Sequence, residues 1–173
     1  AVGSFGCWRS GLTVSWSGVE QSDMTQEDRK KYKQAFQQMN QINDEEKAKA
    51  NLEAAENAQK FWNQANEASS THPYLVSKKV NAFGVKHNVQ RLLIPLRDGD
   101  GKLWNLQQIF PNGKKRFLKN GKVKGLFHII GEQTDVIYIG EGYSTMASVH
   151  AATWKACVVA FNAGNLRDVC SQV

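Results

Sequence analysis

The chain has 173 residues, 41% of them hydrophobic and 22% charged, with a net charge of +6. That length suits one domain, or one domain with a helical extension, and is enough to bury a sizeable core. No apolar run approaches the ~20 residues that cross a bilayer and no signal peptide precedes the domain, so no membrane partner is expected. Cys7, Cys157 and Cys170 are odd in number and contain no C-x-x-C pair. A disulfide framework and a zinc ribbon are therefore not encoded, and a reducing, cytoplasmic setting is expected.

In chain order, residues 1–20 carry Gly3, Gly6, Gly11 and Gly18 among Phe5, Trp8 and Trp16. The alternation Leu12-Thr13-Val14-Ser15-Trp16 predicts a short hairpin. The segment lacks a starting methionine and reads as part of a fragment whose start lies upstream. Residues 22–70 form a helical spacer, rich in Lys, Glu, Gln, Asn and Ala. Ser22, Asp23 and Thr25, with Glu27 and Asp28 just inside, supply a helix start, because side-chain oxygens cap free amides and acids favour the positive end. Apolar positions are sparse (Tyr32, Phe36, Met39, Ile42, then Leu52, Phe61, Trp62), so the helix packs only a narrow stripe. A break between two helices is expected at residues 40–44.

Residues 72–173 form an α/β domain. His72, before Pro73, is pushed out of the helical basin and ends the helical region. A β meander follows, with strands at residues 91–97, 102–110 and 114–118 and turns at Asp98-Gly99-Asp100-Gly101, Pro111-Asn112-Gly113 and Asn120-Gly121. A further short strand is expected at residues 127–130. Two apolar runs, ending at Gly140-Glu141 and at Phe161-Asn162, are separated by one helix's length. They read as a parallel β-α-β unit, and Cys157 reads as a small core residue of its second strand. A last helix is expected to start near Asn165.

In such sheets ligands gather outside the carboxyl ends of the strands, where Glu141 and Asn162 would lie side by side. A carboxylate there, next to Gly142 that permits close approach, suits metal-assisted phosphate chemistry. The plainer alternative is that Glu141 caps the next helix. Ser144 and Thr145 could donate to a phosphate at the helix start or serve as caps. Between His72 and Ile130 twelve basic residues face two acidic ones, a local excess of +10. Lys114, Lys115 and Arg116, with Lys119, Lys122 and Lys124, would suit a surface that follows a nucleic-acid backbone. Trp104, Phe110, Phe117 and Phe127 could stack on unpaired bases, although ordinary strand alternation would turn them into the core. His72, His87, His128 and His150 lack zinc-site spacing and read as surface or packed residues.

These motifs, taken together and in order, carry a resemblance. His72-Pro73-Tyr74-Leu75, Leu93-Ile94-Pro95-Leu96-Arg97-Asp98, Leu106-Gln107-Gln108-Ile109, Gly113-Lys114-Lys115-Arg116-Phe117-Leu118, Gly140-Glu141-Gly142-Tyr143-Ser144-Thr145 and Ala160-Phe161-Asn162-Ala163-Gly164-Asn165-Leu166 resemble the Toprim-containing primases of plasmids, integrative elements and satellite-type phages. Phe5-Gly6-Cys7-Trp8-Arg9-Ser10-Gly11 is similar to the segment such proteins place before their long helix. The resemblance implies a Toprim-like domain and RNA primer synthesis on a single-stranded DNA template, with a helicase domain in the same polypeptide. It implies that Glu141 is the catalytic glutamate beside Mg2+ or Mn2+. The second Toprim motif, an Asp-x-Asp pair, has no counterpart here, so the remaining metal ligands would lie outside this chain and the fragment alone would polymerise nothing. Asn162 stands where relatives of this kind carry aspartate. With Ser144, Thr145 and Asn165 it joins the nucleotide-binding candidates. The alternatives are a non-catalytic nucleic-acid-binding module with the same fold, and a Toprim nuclease or topoisomerase-like enzyme.

Overall fold

The computed structural model describes residues 2–7, 12–17, 25–132 and 135–173. The chain divides into two compact units, residues 1–46 and 47–173.

In the first unit, β1 (Val2–Cys7) and β2 (Leu12–Ser17) form an antiparallel hairpin, with Val2 opposite Ser17 and Cys7 opposite Leu12. The residues between them, Trp8 among them, and the cap candidates Ser22 and Asp23 lie outside the described residues. Helix α1 (Gln26–Gln64) opens at Thr25. The Thr25 Oγ1 accepts the Asp28 N–H at 3.2 Å and donates to Asp28 Oδ2 at 2.6 Å, so one free amide is satisfied where the acid also favours the helix start. The break expected at residues 40–44 is absent. The segment has no Gly or Pro, its asparagines cost helix propensity only a few tenths of a kcal/mol each, and Gln41 reaches Glu45 across the expected break at 3.0 Å.

In the second unit, the end of α1 buries Ala54, Ala55 and Ala58. Small residues there let the helix lie close on a sheet. That sheet has five antiparallel strands in chain order: β3 (Asn66–Glu67), β4 (Lys86–Asn88), β5 (Arg91–Arg97), β6 (Leu103–Ile109) and β7 (Lys115–Phe117). Between β3 and β4 the chain forms a short helix, α2 (Pro73–Lys78), where the sequence suggests only the end of helical structure. His72 is extended, as the following proline demands, but Pro73 takes the first helical position, where its missing N–H costs nothing. Side-chain alternation splits the sheet's two faces. Leu93 and Leu106 meet Ala58 beneath α1, whereas Leu92, Ile94, Leu96 and Ile109 join the main core.

A second sheet has the order β8 (His128–Ile130), β10 (Ala156–Val159), β9 (Ile137–Gly140). The strands β9 and β10 are parallel, with Gly140 opposite Val159, and helix α3 (Tyr143–Thr153) connects them. This is the β-α-β unit the two apolar runs predict. The strand β8 follows the meander in sequence yet pairs antiparallel with β10. Every residue of β10 is buried. Cys157 and Val159 pack toward Tyr143, Met146 and Ala147 of α3, while Val158 and Ala160 pack with Phe127 and Val169 of α4 (Leu166–Cys170). The two sheets meet where Arg97 and Phe127 exchange both main-chain hydrogen bonds, each 2.9 Å.

Candidate functional site

Gly140, Val159 and His128 stand abreast across the small sheet, so β9 and β10 release the chain at one edge. The Ala160 N–H donates to the Gly140 carbonyl at 2.7 Å and holds the two strand ends together. Just beyond, Glu141 and Asn162 are both exposed. The helix α3 has Gly142 as its N-cap and no side-chain hydrogen bond caps it. Thr145 is exposed and Ser144 half-buried in the first turn. A methyl group at Gly142 would meet only Thr145 Oγ1, at 3.6 Å, so the space before the helix is open.

Phe161, the residue before Asn162, has a φ of 71°, a left-handed conformation that strains a bulky side chain. Its ring packs edge-to-face on Phe117 of β7, with centroids 6.0 Å apart. That contact brings the basic strand to the sheet rim. Sequence reasoning did not single out Phe161, because nothing in its neighbourhood marks a positive φ. The run Lys114-Lys115-Arg116 is exposed throughout, but the strand divides it between faces. Arg116 is in register with Gln108 and Lys115 with Ile109. Of the aromatics, Phe127 is core, Trp104 and Phe117 are half-buried against the core, and Phe110 is half-buried beneath the Arg91 guanidinium at 5.0 Å.

Two buried asparagines pin the loop that carries the other lysines. Asn105 Oδ1 accepts from the N–H groups of Leu106 and Leu118, and its Nδ2 donates to the Lys122 carbonyl at 3.0 Å. Asn120 supplies the positive φ of the turn. Gly121 supplies room, since a methyl group there would fall on the Asn105 carboxamide. Asn165 Oδ1 accepts the Gly125 N–H at 2.7 Å, and its Nδ2 donates to the carbonyls of Leu126 and Ala160, each at 2.9 Å. With 3% exposure and its N–H groups committed to main chain, Asn165 serves the scaffold. The loop so held presents Lys119 and Lys124 to solvent and lays Lys122 over the Trp104 ring at 5.0 Å. Lys124 pairs with Asp168 at 3.7 Å, an exposed contact worth at most about 1 kcal/mol. Lys124, Asn162 and Asp168 line one shallow pocket of about 390 Å³.

Glu141, Asn162, Lys124 and the end of β7 thus belong to one edge of the fold, whereas Lys114 lies at the far turn of the β6–β7 hairpin. That edge offers the Glu141 carboxylate, the Asn162 amide, and Lys124 with its partner Asp168. Among the described residues no group of three or more His, Cys, Asp or Glu could hold a metal ion. Glu141 fits as a single ligand of a hard cation, which takes six or more oxygens, and the described residues provide no cage. Three of the four histidines do structural work. His72 Nδ1 accepts the Tyr74 N–H, His150 Nδ1 bonds the Lys155 carbonyl at 2.8 Å, and His128 Nε2 bonds the Phe83 carbonyl at 3.0 Å. Burial, against the opposing pull of the Phe83 bond and with a smaller push from the Arg97 charge, brings the His128 pKa down to about 4.

Arg97 is a second residue that sequence reasoning passed over except within a motif. Its Nη1 donates to the Gly101 carbonyl at 2.8 Å, its guanidinium lies 5.8 Å from the Trp62 ring, and burial pulls its pKa down. The ion pairs among the described residues join Lys86 to Glu67, Lys124 to Asp168 and Lys155 to Asp135, and so leave Arg97 outside any ion pair. It lines a cleft of about 590 Å³ between β5 and β8, with Trp62, Phe127 and Glu132. The cleft opens at Pro95, which has no N–H to continue the pairing begun at Arg97 and Phe127. Asp98 and Glu132 line the same cleft, so Arg97 shares it with two carboxylates though it forms no ion pair with either.

Comparison with known proteins supplies the context for this geometry. Over 154 residues, 74% of this chain, it is 37% identical to a DNA primase TraC of Escherichia coli, and over 105 residues, 56% of the chain, it is 38% identical to another protein of the same name and organism. The similarity runs along a stretch of a DNA primase. The chain spans about a tenth of the length of these curated relatives, 11% and 10%. No family model matches the chain, and no solved structure matches it. No helix among the described residues is long and apolar enough to cross a membrane.

Proposed function

We propose that this chain is part of a DNA primase of the Toprim type, which in its complete form makes RNA primers on single-stranded DNA by metal-dependent nucleotidyl transfer in the cytoplasm. The observation that carries the reading is the exposed Glu141 at the carboxyl end of a parallel strand pair, beside a pinned basic loop. The similarity to the TraC primases supports it. Glu141 would hold one side of a Mg2+ or Mn2+ ion whose other ligands lie outside these residues. Such an ion, when bound, offsets charge developing on the transferred phosphoryl group. The chain's own groups do the rest. The lysines of the loop and β7 hold a polyanion near the rim, and the open α3 start accepts phosphate oxygens. The partners are a single-stranded template, nucleotides and a helicase domain of the same polypeptide.

Glu141 belongs to no group of three or more metal-holding side chains among the described residues, which favours one rival reading, a nucleic-acid-binding module that keeps the fold without catalysis. Primer synthesis by the complete parent protein separates the two. Glu141→Gln preserves shape but removes the charge, and a loss of about 10²-fold or more is expected for a group that handles a proton or metal in the transition state. An unchanged rate, with the fold intact, would assign the chemistry elsewhere.

A further inference from the structure

A groove of about 530 Å³ lies at the other end of the meander, lined by Phe61 of α1, Val89, Arg91, Gln108 and Phe110. Strand register explains what gathers there. Leu93, Gln108 and Arg116 are in register across β5, β6 and β7, so they share a face, and Arg91 and Phe110 share it two residues along their strands. Arg91 donates to Gln108 Oε1 at 3.0 Å and lies 5.0 Å from the Phe110 ring. Its guanidinium is thereby held over an aromatic face. Phe61 is 43% exposed. No acidic residue lines the groove.

The fifth residue is the least expected. Val89 occupies the two-residue turn between β4 and β5, with Asn88 opposite Arg91. It has a φ of 54° and is 87% exposed. Such turns favour Gly, Asn or Asp at positive φ, and a β-branched residue is strained there. Neither packing nor turn chemistry accounts for an apolar side chain held out at this tip. A ligand with an apolar face does.

We infer that this groove takes one unpaired base of a single-stranded nucleic acid, stacked against Phe110 and Arg91 and flanked by Phe61 and Val89, while Arg91 and Arg116 hold the adjoining phosphates. Two guanidiniums on one face, with no carboxylate among the lining residues, select a polyanion. The aromatic walls select one whose bases are free to stack. The inference rests on the reading of the chain as a nucleic-acid-handling fragment and places a strand-holding site on the opposite end of the meander from the Glu141 rim.

The test titrates this chain, at low salt, against a fluorescent oligothymidylate, an abasic strand of the same length and a duplex. Oligothymidylate is expected to bind about ten-fold tighter than the abasic strand. Phe110→Ala should erase that ratio without weakening the abasic strand. Val89→Asn should do the same while raising Tm by about 2–4 °C, because asparagine tolerates the turn that valine resists. Equal affinity of the unaltered chain for both strands, a ratio that survives both variants, or duplex bound as tightly as oligothymidylate would overturn the base pocket and leave backbone binding in place. Binding to none of the three would overturn the nucleic-acid reading together with it.

Discussion

His128 shows how one buried residue sets a pH limit on the whole fold. Its folded-state pKa is about 4, against about 6.5 for an unfolded chain. Between those values the unfolded chain takes up a proton that the folded one refuses, so stability is full above pH 6.5, falls as the pH drops toward 4 and then levels. The loss from this residue totals about 3 kcal/mol. Urea unfolding of the unaltered chain and of His128→Gln, which keeps a donor for the Phe83 carbonyl, should diverge across that window, with the variant flatter. Parallel pH profiles would mean that His128 is solvated. At this scale the sequence was only partly legible. The exposed acid at Glu141 and the basic run could be read from strand ends and charge. The roles of Asn105 and Asn165 could not, because a buried amide is distinguished from a surface one only by the distant main chain it meets. The same holds for Phe161 and Val89, whose positive φ values no neighbouring glycine announces.

Among the elements, the meander turns and the β-α-β unit follow from local rules, Asp-Gly and Asn-Gly turns and paired β-branched runs. The expected break in α1 failed because asparagine and aspartate weaken a helix without stopping it. The strand β8 was foreseen, but its partner was not. Its pairing with β10 is a long-range choice made by the core, and it seats the meander against the sheet rim. The loop of residues 118–126 depends on that seating. Asn165→Ala would strip partners from the Gly125 N–H and the Leu126 and Ala160 carbonyls, and a loss of about 2–4 kcal/mol in chemical unfolding is expected. A loss below about 0.5 kcal/mol, the usual size for a surface change, would show that the loop is held by other means. For β7 the measurement is salt dependence. Replacing Lys115 and Arg116 together by alanine should lower the log-log slope of single-strand binding by about 1.4, and an unchanged slope would remove β7 from the interface.

For the molecule as a whole, the two sheets divide the work. The antiparallel meander carries most of the basic surface, and the small sheet carries a parallel pair with an acid at its rim. Phe117 on Phe161, Asn165 on the loop, and the Arg97–Phe127 bridge couple them. The local charge excess of +10 already pointed to a polyanion; that one of its members, Lys124, shares a pocket with Asn162 and Asp168 became visible only in three dimensions. The central claim is that Glu141 acts on the reacting phosphate and not on the grip of the template. Steady-state primer synthesis by the complete parent protein, measured together with template affinity, tests this most directly. Glu141→Gln is expected to lower kcat by about 10²-fold or more with the template Kd unchanged. An unaltered kcat, or a loss confined to template affinity, would contradict the account.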